Sequence, residues 1–135
     1  MSFARIAAAH VLTLLVFLAL DGVWLGVVAR GMYRREIGHL LAPEVRWGAA
    51  AAFYVLYVAG LLLLVVLPNR TSSALVTAAL GAAFGLVAYA TYDLTNLATL
   101  ARWPLSVTLA DLAWGTFATA AAAVAGRGFV RWLLP

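Results

Sequence analysis

Apolar residues fill four long stretches of this chain, and polar residues interrupt them at a few spaced positions. The stretches are Phe3 to Ala29, Trp47 to Leu67, Ala74 to Ala101, and Leu105 to about Val130. Each exceeds the roughly 20 residues that a helix needs to cross a 30 Å hydrocarbon layer. Pro68 closes the second stretch, Thr71-Ser72-Ser73 offers N-cap residues for the third, and Pro104 stands at the opening of the fourth. The links after the second and third stretches are short, which forces antiparallel neighbours. The pattern predicts an all-α fold: an integral membrane four-helix bundle, up-down-up-down, in a single membrane domain over residues 1–135.

The first stretch could also be read as a signal peptide, since Arg5 precedes an apolar run. It continues past Asp21 through Val23-Trp24-Leu25, beyond the usual 7–15-residue apolar region of a leader, so a retained spanning helix is expected. The first link, residues 30–46, mixes Met32, Tyr33, Ile37, Leu40 and Leu41 with Arg34, Arg35, Glu36 and His39. That mixture suits a short interfacial helix or a helical extension of the first span. Pro43 and Glu44 suit the start of the second span.

Composition narrows the class. Hydrophobic residues make up 66% of the chain and charged residues 10%. A soluble domain carries about 25% charged residues to hydrate its surface. Mean hydropathy is +1.02. Lipid is therefore the expected solvent for most of this surface, and the bilayer the first partner. With no cysteine, disulfides and thiolate sites are excluded. The net charge of +4 comes from nine arginines, which cluster at span ends as head-group anchors. No basic stripe remains for nucleic acid. The arginines divide four against five between the two sides, too even to orient the chain. Termini in the cytoplasm of a bacterial inner membrane are the working expectation for a multi-pass protein of helical hairpins.

Three aspartates, Asp21, Asp93 and Asp111, lie inside the spans. A carboxylate at a bilayer centre costs about 2.5–3.5 kcal/mol on insertion scales, so it stays there with a partner or a role. Counting residues from Arg30 and Arg102 at 1.5 Å each puts all three roughly 13 Å in from the same interface. Tyr54 and Tyr57 fall at comparable depth, with Trp24 shallower and Trp114 deeper. In the third span Gly81, Gly85, Tyr89, Tyr92, Asp93 and Asn96 recur at three- and four-residue steps and make one stripe. In the fourth, Asp111, Gly115, Ala118, Ala122 and Ala125 match it. The small residues predict close backbone approach at one end. Trp47, Tyr54, Tyr57 and Leu61 make the inward face expected of the second span. The candidate ligand-binding set is Asp21, Trp24, Tyr54, Tyr57, Tyr89, Tyr92, Asp93, Asn96, Asp111 and Trp114, converging on one pocket open toward the first link.

Interhelical glue is the plain alternative for the aspartates, since indole and phenol donors could hold them. Three like charges at one depth fit glue less well than one would, because they need neutralising. His10 shares a face with Asp21 but lies roughly 16 Å away along the helix. A relay between them is conceivable, and a hydrogen bond to a neighbouring backbone or hydroxyl is the plainer expectation. A haem would want two axial histidines, and His39 is expected outside the membrane. No cofactor and no metal are expected.

The words Leu20-Asp21-Gly22-Val23-Trp24-Leu25-Gly26, Phe53-Tyr54-Val55-Leu56-Tyr57, Ala88-Tyr89-Ala90-Thr91-Tyr92-Asp93-Leu94-Thr95-Asn96-Leu97, Trp103-Pro104-Leu105 and Asp111-Leu112-Ala113-Trp114-Gly115 resemble a family of small bacterial membrane proteins catalogued as a domain of unknown function. The resemblance runs through nearly the whole chain and implies a four-helix inner-membrane protein. It supplies no catalytic residues.

Three functions remain in competition at this level. A pocket of carboxylates and aromatics could bind or transport a proton, a cation or a small amphipathic ligand. Small four-helix multidrug exporters work on similar logic, but their single-glutamate arrangement is absent here. Transport through so thin a wall would call for a homodimer. Alternatively the carboxylates could serve a lipid-modifying enzyme as acid and base, or the chain could be an accessory subunit of a larger membrane complex.

Overall fold

The computed structural model describes residues 2–135, and among them there is no strand. Four helices are long and apolar enough to cross a membrane: α1 (Phe3–Val28), α3 (Trp47–Val66), α4 (Ala74–Thr99) and α5 (Leu105–Leu133). The helix α2 (Arg30–Ile37) lies in the first link and is followed by a 3₁₀ turn, Gly38–Leu40. The expected spans are thus present, with ends shifted by up to three residues.

The helix ends follow local chemistry. Ser73 caps α4, its Oγ accepting from the Val76 amide at 3.2 Å. Pro104 is the N-cap of α5. Both α1 and α3 end in a wide π turn, in which the Ala29 amide donates to Trp24 O at 2.7 Å and the Leu67 amide to Leu62 O at 2.8 Å. The turn separates α2 from α1, so α2 does not simply extend the first span. Ile37 of α2 is buried against Trp103 and Val107, folding the link back onto the start of α5. The Ser106 hydroxyl on α5 donates to Glu36 Oε2 at 3.3 Å.

Helix α5 is the hub. It packs on α4 along most of its length, on α1, and on the last turns of α3. Gly81 and Gly85 of α4 make the close contact possible. A Cβ added at Gly81 would meet Ala123 Cβ at 2.6 Å, and one at Gly85 would meet the Gly115 carbonyl oxygen at 2.3 Å. Side chains absent from both helices let the backbones touch, which is how membrane helices gain packing without a hydrophobic driving force. Ala118, Ala122 and Ala123 are fully buried in this seam, whereas Ala125 is only half-buried.

Two expectations are corrected. Pro43 and Glu44 lie in the non-helical link, and α3 opens at Trp47 after Arg46. Trp47 does not face inward; it is 75% exposed. The opening turns of α3, residues 47–53, have no buried residue. Tyr54 does face inward, half-buried with its hydroxyl on Asp21, and the buried face runs from Tyr57 through Val58, Leu61, Leu62, Val65 and Val66. Near a span end an indole suits the head-group region better than a helix seam.

Candidate functional site

Asp21 and Trp24 lie one turn apart on α1, and Asp111 and Trp114 one turn apart on α5. Because these helices are antiparallel, the tryptophan of each pair comes level with the aspartate of the other. The indoles of Trp24 and Trp114 stack with ring centroids 4.8 Å apart and planes 3° apart. Trp114 Nε1 donates to Asp21 Oδ1 at 3.1 Å. Trp24 Nε1 donates to the Tyr33 hydroxyl at 2.9 Å, and that hydroxyl donates to Asp111 Oδ1. The exchange is reciprocal: each helix supplies an acid, and each acid is held by an indole of the other helix, directly or through one phenol. Asp21 gains a second donor, the Tyr54 hydroxyl of α3.

Asp93 is different. It is fully buried on α4, and among the described residues neither carboxyl oxygen has a hydrogen-bond donor. Its carboxyl neighbours that of Asp111. Buried polar atoms are satisfied in the great majority of cases, so a donorless carboxyl calls for an account.

The stacked indoles, Tyr33, Asp21 and Asp111 border a cavity of about 870 Å³, near the upper end of the roughly 300–1,000 Å³ typical of small-molecule sites. Asp21 and Asp111 stand in its wall. Trp24, Trp114, Tyr57, Tyr89 and Tyr92 supply aromatic surface, and Phe53 and Trp103 extend it. Tyr57 is held by a 2.8 Å hydrogen bond between its hydroxyl and Thr119 Oγ1. Tyr89 lies over Gly115, where an added Cβ would come 2.2 Å from the ring. Tyr92 meets Trp103 edge-on at 5.6 Å. The α2 side of the cavity carries Arg30, Arg34 and Tyr33. Burial, and after it the hydrogen bond to Asp111, pushes the Tyr33 hydroxyl above the ordinary tyrosine range, so it stays a neutral donor.

The ten residues expected to form one pocket therefore divide. Asp21, Trp24, Tyr57, Tyr89, Tyr92, Asp111 and Trp114 line the cavity. Tyr54 supports Asp21 without lining it. Asp93 sits against Asp111 but outside the wall, and Asn96 is half-buried beside Tyr92. His10 does not reach Asp21; its Nε2 lies 3.0 Å from the Val55 carbonyl oxygen of α3. Sequence reasoning missed Tyr33, Arg30 and Arg34, because the link was expected to lie outside the bundle. One signal was available: Tyr33 and Ile37 are four residues apart, so they share a helix face that could turn back onto the spans.

Four apolar spans around a cavity with acids and aromatic rings in its wall define the class: a multi-pass membrane protein of the all-α bundle type. Within that class the chain belongs to the family described as "Predicted membrane protein (DUF2177)", whose model matches residues 6–127. No curated protein and no solved structure matches the chain.

Proposed function

We propose that this protein binds a small amphipathic molecule in the cavity lined by all five helices, as a multi-pass protein of a bacterial inner membrane. One observation carries the reading: a cavity of about 870 Å³ has two carboxylates and two arginines in a wall that is mostly aromatic and aliphatic. Apolar surface supplies the affinity of such sites, and a few fixed polar groups set orientation. Asp21 and Asp111 are pre-positioned by Trp114, Tyr54 and Tyr33, so a ligand donor would meet acceptors already held in place. A second reading, proton-linked binding, is favoured by the donorless Asp93 beside Asp111. One hydrogen held between the two carboxyls would satisfy one of the two Asp93 oxygens.

Extraction in polymer-bounded lipid particles, followed by mass spectrometry, tests the first reading. Ala88 lines the cavity, and Ala88→Trp should obstruct it. Loss of a co-purifying molecule at an unchanged thermal midpoint supports binding there. An identical small-molecule profile for wild type and variant would refute it. Asp93→Asn tests the second reading, because the amide carries the missing hydrogen permanently and cannot ionise. It should keep the fold and remove any pH dependence of ligand retention.

A further inference from the structure

Arg30 and Arg34 are four residues apart on α2, and both border the cavity. At that spacing the side chains lie on one face, about 5–6 Å apart at Cβ, and like charges there repel. Among the described residues neither has a salt-bridge partner: the salt bridge on α2 joins Arg35 to Glu36 at 3.0 Å. Arg30 and Arg34 thus both line the cavity with no salt bridge of their own. Leu25, Ile37, Leu41 and Val45 add aliphatic surface to the same wall. The two carboxylates elsewhere in the wall repel anions. The site is therefore polarised, positive on α2 and negative at the α1–α5 contact, with the Tyr33 hydroxyl reaching from α2 to Asp111.

We propose that Arg30 and Arg34 clamp the oxyanion headgroup of a single-chain amphiphile, with its alkyl chain lying in the cavity. The proposal rests on the cavity reading above and names the ligand's chemistry and direction. A guanidinium presents planar paired donors that match carboxylate and phosphate oxygens, and such charge-assisted bonds are the stronger kind. Asp21 and Asp111 fix the orientation by repulsion. An anionic head cannot settle beside them, so it remains at the arginines. Because Arg30 and Arg34 are exposed, replacing them leaves the packed seam untouched.

Four probes with the same twelve-carbon chain separate the possibilities: dodecyl phosphate, dodecanoate, dodecyltrimethylammonium and dodecanol. Each is titrated against the full chain in phosphatidylcholine nanodiscs, with the thermal midpoint as readout and empty nanodiscs as blank. At least one anionic probe should bind more tightly than dodecanol, and the better of the two identifies the headgroup as phosphate or carboxylate. Arg30→Gln with Arg34→Gln should weaken that anionic probe by at least about tenfold, the loss of one charge-assisted hydrogen bond, and leave dodecanol unchanged. Arg35→Gln, outside the cavity wall, should change neither. Equal affinity for anions and dodecanol would overturn the clamp and leave the cavity reading standing. So would an arginine-independent anion affinity, or an equal loss in Arg35→Gln. Tightest binding of the ammonium probe would overturn the orientation and assign the head to the aspartates. If no probe binds the wild type, clamp and cavity reading both fall.

Discussion

The end of the bundle near Arg70 and the end near the first link are built from the same helices and differ in almost every other respect. Near Arg70, Gly81, Ala118, Ala122 and Ala123 bring α4 and α5 into backbone contact. Near the link, the same two helices carry Tyr89, Tyr92, Asp93, Asp111 and Trp114. Gly115 stands at the changeover: its carbonyl meets Gly85, and its missing side chain leaves room for the Tyr89 ring. The contrast teaches how a short bundle opens a cavity without a proline kink. A gradient in side-chain size, from glycine to indole, places the close approach at one end and the space at the other. The polar groups belong to the open end, where ring N–H and O–H donors reach the acids.

Gly85→Leu should break this contrast most severely. A Cβ there lies 2.3 Å from a backbone oxygen, which cannot swing aside as a side chain would. We expect a loss of about 3 kcal/mol or more, the upper part of the overpacking range, read as a lowered thermal midpoint in detergent. The same substitution at Gly22, where no atom lies within 4 Å, should stay within about 0.5 kcal/mol. Equal midpoints for the two variants would show that the α4–α5 seam is not the tight end.

Asp21→Ala attacks the open end. It leaves the Trp114 N–H and the Tyr54 hydroxyl without their acceptor, at about 1–3 kcal/mol. Asp21→Asn should recover part of that, since an amide oxygen still accepts. Full loss in both variants would assign the effect to charge. At the closed end, Arg127 donates from Nε and a terminal nitrogen to the Ser72 carbonyl at 3.0 and 2.7 Å. Arg127→Ala should cost roughly 1.5 kcal/mol, and Arg127→Lys should recover only part of it, which equilibrium unfolding would resolve.

Tyr33→Phe is the mildest change, about 1 kcal/mol near neutral pH, and it sharpens the comparison through its pH dependence. The folded protein holds the Tyr33 proton to higher pH than an unfolded chain, whose tyrosines ionise near pH 10. The unfolded state therefore loses protons first. Stability is intact below about pH 10 and falls as pH rises above it, by up to about 1.4 kcal/mol per unit for this group. Chemical unfolding at pH 9 and pH 11 should show a smaller drop in Tyr33→Phe than in wild type. An equal drop would mean that Tyr33 does not hold its proton as the hydrogen-bonded geometry requires.

The spans were legible in the sequence because length and apolarity decide them, and lipid permits few alternatives to a helix. The seam was legible because Gly81 and Gly85 fall four residues apart. The level of the aspartates came from arithmetic on helix rise. The reciprocal bonding was less accessible. Asp21-x-x-Trp24 and Asp111-x-x-Trp114 look like two copies of one local motif, and only their antiparallel placement makes each tryptophan serve the other copy's acid or its phenol partner. Trp47 misled because helical periodicity gives a face but not how far along the helix a neighbour reaches. The turn of α2 onto α5 was hidden by composition: arginine-rich segments read as solvated, while Tyr33 and Ile37 were the residues that chose the packing.

The position of α5 as hub has a consequence for synthesis. The chain emerges α1 first, and Asp21 enters the bilayer more than 80 residues before Trp114 exists. Until α5 inserts, Asp21 lacks the indole that holds it in the finished protein, and Gly81 and Gly85 lack their opposing surface. Three spans without the fourth form an insertion intermediate with an under-partnered acid in lipid. Interrupting translation before Trp114 should therefore give a membrane-inserted but protease-sensitive product. The fourth span is the step at which this protein becomes one body.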